Sequence, residues 1–197
     1  MILDLLNKRC SIRNFKNKKI SSDIINLILE AGRLSPSGGN EQPWKFGVIT
    51  DKKMIHQIAE ISYNQSWIKT SPLLIVLCTV IVEDNRGGRS IQKSRFPRYK
   101  KEIDEIEKEL YSYLNLEEHQ TKIPGTHMEI CALENGIYST WVSYFDVEKV
   151  AKALRLPHNC VPSEIIAFGY PENELKLKDK KSINELTFYN CYVEDER

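Results

Sequence analysis

The chain has 197 residues, with 28 Lys+Arg against 27 Asp+Glu and 41% hydrophobic residues. A chain of this length buries about 70% of its unfolded surface, so it holds a core without disulfides or metals and reads as one domain, residues 1–197. The composition excludes a dominantly basic nucleic-acid binder, a highly acidic disordered chain and a disulfide miniprotein.

Ile2, Leu3, Leu5 and Leu6 predict a short first helix, and Asp4 within it argues for an amphipathic helix rather than a signal peptide. Ser21 or Ser22 caps a second helix carrying Ile24, Ile25, Ile28 and Leu29, with Gly32 near its end. The run from Leu34 to Trp44 holds two prolines and two glycines and cannot be regular helix. Lys45–Thr50 reads as a strand, and Met54, Ile55, Ile58 and Ala59 as a short helix. The apolar run Leu73–Val82 is too short to span roughly 30 Å of hydrocarbon and reads as a strand buried on both faces, so no membrane partner is expected.

From Glu83 to about Arg98 the chain turns polar. Ile103, Ile106, Leu110 and Leu114 then predict one charged helix over Tyr99–Leu116. Pro124-Gly125 is expected to break the chain before a helix over His127–Asn135, which Gly136 terminates as its C′ residue. Tyr138–Phe145 reads as a strand, Asp146 as the N-cap of a helix stopped by Pro157, and Ser163–Gly169 as a strand. Lys176–Lys181 is a lysine-rich loop, and Leu186–Val193 reads as a final strand. Strands interleaved with helices predict an α/β or α+β domain.

Five cysteines, Cys10, Cys78, Cys131, Cys160 and Cys191, are widely spaced with no Cys-x-x-Cys pair. No disulfide framework or metal site is expected, and reduced thiols in a cytoplasmic setting are the default. Dinucleotide fingerprints, Walker loops, zincin motifs and nucleophile elbows are absent, and no side chain stands out as catalytic.

Two segments suit a ligand. Arg9, Ser11 and Arg13 alternate, so an extended segment points two guanidiniums and a hydroxyl to one side, which matches a phosphate dianion. A solvated basic turn is the plain alternative, as it is for Lys176, Lys178, Lys180 and Lys181. The run Ser35-Pro36-Ser37-Gly38-Gly39-Asn40-Glu41-Gln42-Pro43-Trp44 is either a tight connector or a loop whose amides match the polar edge of a flat heteroaromatic ring.

These two segments, in this order, resemble the nitroreductase family of FMN-dependent oxidoreductases. Asn135–Asp146, Val150–Pro157 and Ile165–Pro171 resemble later family segments, so the likeness covers most of the chain except about residues 83–126. It implies an α+β fold with a central, mainly antiparallel sheet surrounded by helices, built as an intertwined homodimer. It also implies FMN as cofactor and NAD(P)H as electron donor. By position, Arg9, Cys10, Ser11 and Arg13, with Lys178 and Lys180, would hold the phosphate end. Pro36, Ser37, Asn40 and Gln42 would approach the flavin, Pro36, Ser37 and Asn40 from the partner subunit. Asn64 would touch the pyrimidine edge, and Val142, Ser143 and Tyr144 would face the N5 region.

The chain departs from the pattern at Cys10, where a second basic residue is common, and at Ser143 and Tyr144, where glycine is frequent. The implied activity is ping-pong hydride transfer from NAD(P)H through flavin to a small electron-poor acceptor, nitroaromatic or quinone-like. A flavin-storage protein, or other flavin chemistry such as reductive dehalogenation, is the alternative. A remoter one is nucleic-acid binding by Arg86, Arg89, Lys93, Arg95, Arg98, Lys100 and Lys101, with Phe96 and Tyr99 interleaved. The variable 83–126 segment reads as either a lid or dimer surface.

Overall fold

A computed structural model describes residues 1–81, 89–114 and 118–192. Helices α1 (Ile2–Lys8) and α2 (Ser22–Arg33) precede strand β1 (Trp44–Ile49), helix α3 (Lys52–Ile61) and strand β2 (Leu73–Val80). Helices α4 (Arg89–Arg95), α5 (Lys100–Glu105), α6 (Lys108–Tyr113) and α7 (Glu118–Glu134) follow. Strand β3 (Tyr138–Val142), helix α8 (Val147–Ala153), strand β4 (Cys160–Gly169) and the single turn α9 (Ile183–Leu186) complete the described elements.

The four strands form one antiparallel sheet in the order β1-β2-β4-β3. With helices on both faces this is the α+β architecture expected from the sequence. The central strand β2 is apolar at both parities, and the pleat sends alternate residues to opposite faces. Leu74, Val76 and Cys78 join Ile55, Ile58, Val150 and Ile165 under α3 and α8. Leu73, Ile75 and Leu77 join Ile28, Met128, Ala132 and Phe168 under α2 and α7. Each of these fully buried aliphatic side chains contributes about 2 kcal/mol of transfer free energy.

Pro162 sits inside β4, where a missing N–H would break the ladder. The register slips there: Leu77 faces Glu164 while Cys78 faces Pro162, so Ser163 is the extra residue of a bulge. The Ser163 hydroxyl instead meets Thr79 Oγ1 at 2.6 Å. Thus β4 begins at Cys160, three residues before the predicted strand.

Three expectations are corrected. The Pro124-Gly125 pair does not break the chain; both residues lie within α7, buried. A Cβ on Gly125 would stand 2.5 Å from Trp141 Cη2 and 2.6 Å from Leu77 Cδ1, so glycine is what lets this helix settle on the sheet. The single helix over Tyr99–Leu116 is instead α5 and α6, separated where Ile106 adopts extended backbone (φ −62°, ψ 127°). Its predicted end falls in residues 115–117, outside the described residues, and α4 was not anticipated. The final strand over Leu186–Val193 is absent up to Tyr192, Val193 lying outside the described residues. A strand needs a neighbouring ladder, and none of the four strands pairs with this segment.

The other boundaries follow local chemistry. Ser21 and Asp51 accept from Ile24 N and Met54 N and so cap α2 and α3. Asp146 accepts from Lys149 N and caps α8. Gly136, at φ 71°, closes α7 with paired bonds from Gly136 N to Leu133 O and from Ile137 N to Ala132 O.

Candidate functional site: a basic pocket beside strand β3

After α1 the chain is extended and joins the sheet by a parallel bridge from Ser11 to Ser139 and an antiparallel one from Phe15 to Pro171. These bridges carry the N-terminal segment past the start of the lysine loop. Arg9, Cys10, Ser11, Arg13, Lys176, Lys178 and Lys180 line one pocket of about 120 Å³. Two stretches over 160 residues apart thus bring five cations and a hydroxyl together in a volume matched to a phosphate group. The alternation read from the sequence is realised because the segment is extended. Cys10 is buried at the pocket wall.

Arg9 is held from below. Its Nη1 donates to Glu129 Oε1 at 3.1 Å, and Glu129 also accepts from the Ser139 hydroxyl and from Trp141 Nε1. The carboxylate is buried on α7 with donors from the N-terminal segment and β3, so it fixes the guanidinium while leaving Arg13 and the three lysines to an anion. Arg13 lies over the Trp67 ring at 5.7 Å. Glu129 and Lys176 were not named as site residues. Glu129 carried no sequence signal, because only the fold brings α7 under β3.

A second group of candidates meets at the end of β3. Val142 is buried in the ladder opposite Ile165, and the ladder stops there, so Ser143 and Tyr144 emerge exposed. The Ser143 hydroxyl donates to Glu164 Oε2 at 2.6 Å, and Lys122 Nζ approaches Glu164 Oε1 at 3.0 Å. Asn64 sits in a left-handed turn at the end of α3, at φ 57° beside Tyr63 at φ 52°. That turn touches the same segment: Gln65 Nε2 donates to Tyr144 O at 2.9 Å, and the Tyr63 and Tyr144 rings stack with centroids 4.2 Å apart. Asn64 is therefore brought beside Ser143–Tyr144.

The Ser35–Trp44 loop stands outside the basic pocket. None of its residues lines the basic pocket. Gly39, Asn40 and Gln42 take positive φ, Ser37 Oγ accepts from Gln42 N at 2.9 Å, and the Gln42 amide donates to Asn40 O and Oδ1. Pro36 belongs to the same loop. Gly38 N reaches Gln120 Oε1 and Ser35 Oγ meets His127 Nδ1 at 2.7 Å, which ties the loop to α7. Among the described residues, no hydrogen bond joins Pro36, Ser37, Asn40 or Gln42 to the other candidates.

Part of the basic stretch of the remoter alternative is engaged internally, while Arg95, Arg98 and Lys100 stand exposed beside the exposed Phe96 and Tyr99. Arg89 donates to the carbonyls of Ile103 and Ile106 and lies 4.4 Å from the Tyr111 ring centre, while Lys93 pairs with Asp104 at 2.8 Å. Lys101 stands 3.6 Å from Glu105. Arg86 lies outside the described residues. Among the described residues no helix is long and apolar enough to cross a membrane, and no cluster of three or more metal-ligating side chains forms.

Comparison with known proteins gives the family and the fold. The family profile described as Nitroreductase family matches residues 6–170. A Staphylococcus saprophyticus protein, provisionally named an NAD(P)H nitroreductase, is 30% identical and is aligned over 94% of each chain. A nitroreductase family protein from Clostridium difficile 630 superposes with a TM-score of 0.73 at 24% identity, covering 98% of this chain and 99% of that one. An FMN-dependent nitroreductase from Clostridium difficile R20291 does so with a TM-score of 0.73 at 21% identity, covering 96% and 99%. The chain belongs to the nitroreductase family, and its fold is the nitroreductase fold.

Proposed function

We propose that the chain, acting as one unit over residues 1–197, is an FMN-dependent oxidoreductase. It passes hydride from NAD(P)H to a small electron-poor acceptor, nitroaromatic or quinone-like, in a ping-pong cycle. The observation that carries this reading is the convergence of Arg9, Ser11 and Arg13 with Lys176, Lys178 and Lys180 in one pocket. Family membership and the FMN-dependent relative of the same fold support it.

The residues fit the cofactor. Arg13 and the lysines offset a phosphate dianion, Ser11 offers a hydroxyl donor, and Glu129 keeps Arg9 in place. When bound, FMN supplies the hydride chemistry of both half-reactions. Val142, Ser143 and Tyr144 form the wall toward the ring, with Asn64 beside them. Glu164 and Gln65 anchor this wall in advance, so less order is lost on binding. No titratable side chain is assigned as acid or base.

We place Pro36, Ser37 and Asn40 of a second copy at the same flavin, with Gln42 of that loop also approaching it, which makes the working unit a homodimer. Supporting this, the C-terminal segment leaves Leu177, Ile183, Leu186, Phe188, Tyr189 and Tyr192 exposed, as α1 does Ile2, Leu3 and Leu6. Apolar surface on this scale marks an interface. The test is purification with FMN followed by steady-state NAD(P)H oxidation with a quinone. A yellow protein that turns over supports the proposal. A yellow protein that does not is a storage protein, and a colourless one that gains no thermal stability with FMN sinks the reading.

A further inference from the structure

A second cavity, of about 670 Å³, shares no lining residue with the basic pocket. It lies between the segment after Phe15, the first turns of α3 and the turn that enters β2. We propose that it binds a small amphipathic organic anion, a carboxylate carried on an apolar body.

The floor is apolar and rigid. Phe15 and Ile55 are buried at 4% and 1% exposure. Phe15 N donates to Thr70 Oγ1 at 3.2 Å, and a Cβ on Gly169 would stand 2.5 Å from Phe15 Cδ1, so this ring has little freedom to collapse into the space. The rim is cationic. Lys19, Lys52 and Lys69 line the cavity beside His56, against Asp51 as its one acidic residue.

Asp51 is committed to capping α3 through Met54 N, and Lys69 is partly neutralised by Glu60 at 3.1 Å. Among the described residues, Lys19 and Lys52 make no ion pair, and three lysines against Asp51 leave the lining net positive. The hydroxyls of Thr70 and Ser71 already donate to carbonyls of Trp67, Leu73 and Phe168. Phe15 and Ile55 are almost wholly covered, so recognition falls to charge at the rim and to apolar contact with the half-buried Pro72 and the lysine stems. The volume lies in the range of sites for small organic ligands. An anion without an apolar body leaves the floor unfilled, and an apolar body without charge leaves the lysines unanswered.

The test uses the full chain as purified, with histidine ring signals followed by NMR and His56 assigned from His56→Gln. Three probes are added at equal concentration: 4-phenylbutyrate, 4-phenylbutanol and acetate. We expect 4-phenylbutyrate alone to move the His56 signals. The double variant Lys19→Gln/Lys52→Gln, at unchanged thermal stability, should weaken that response at least about tenfold. Failure of 4-phenylbutyrate to move His56 overturns the proposal. So does a response equal in the double variant, or one matched by acetate or by the alcohol. The readout is independent of flavin and of turnover, so its failure leaves the proposed oxidoreductase activity untouched.

Discussion

Glu129 on α7 accepts a hydrogen bond from Arg9, 120 residues earlier in the chain, at 3.1 Å. The pair links the N-terminal segment to the helix beneath the sheet and sets the direction of the first guanidinium in the basic pocket. Removing the carboxylate leaves Arg9, Ser139 and Trp141 without their acceptor. Glu129→Ala should lower stability by about 2–4 kcal/mol in urea unfolding. It should also weaken FMN binding about tenfold in a fluorescence titration. Glu129→Gln, which keeps an acceptor, should lose less of each.

Gly125 tests why α7 tolerates a Pro-Gly pair. Alanine there gains up to about 1 kcal/mol of helix propensity. Its Cβ collides with Trp141 and Leu77, which costs about 1–3 kcal/mol of overpacking. Gly125→Ala should therefore destabilise on balance, read as a lower denaturant midpoint at unchanged slope. A stabilised variant would show that the helix rides higher on the sheet than described.

Tyr144 stands two-thirds exposed and stacked on Tyr63 at the wall proposed to face the flavin. Tyr144→Gly removes a side chain from that space without touching the buried ladder. We expect kcat/KM for a bulky quinone to rise relative to that for a small nitroaromatic, by about tenfold. FMN affinity should change far less.

The Cys78 and Cys160 thiols lie in one core cluster on neighbouring strands. The neighbouring Cys78 thiol holds Cys160 below the usual 9.0, at about 7, helped by the charge of Lys45 and opposed by burial, while Cys78 itself is pushed up. A depressed acid pKa contributes stability above its unfolded value, and that contribution is lost as pH falls through the folded one. Stability should thus rise between pH 7 and 9 by a Cys160-dependent amount. Ultraviolet thiolate absorbance should titrate near pH 7 in the native protein and not in Cys160→Ser.

Much of this was legible in the chain. The arginine–serine alternation needed only an extended backbone, and the bridges at Ser11 and Phe15 supply it. Caps at Ser21 and Asp146 act within three residues, so sequence shows them. What escaped depends on distant packing. Pro124-Gly125 obeys the sheet beneath it rather than local punctuation, and Pro162 is absorbed by a bulge. Glu129, Gln65 and Glu164 become site residues only when α7, the Tyr63 turn and β4 meet β3. Among the described residues, the strand expected over Leu186–Val193 finds no ladder.

The central claim is that the basic pocket holds a flavin phosphate. The most direct measurement is a calorimetric titration of flavin-free protein with FMN and with riboflavin, repeated on Arg13→Ala/Lys178→Ala/Lys180→Ala. FMN should bind at least about a hundredfold tighter than riboflavin, since charge-assisted phosphate contacts supply the difference. The triple variant should lose most of that preference while keeping its thermal stability. Equal affinity for the two flavins, or a preference that survives in the variant, would contradict the account.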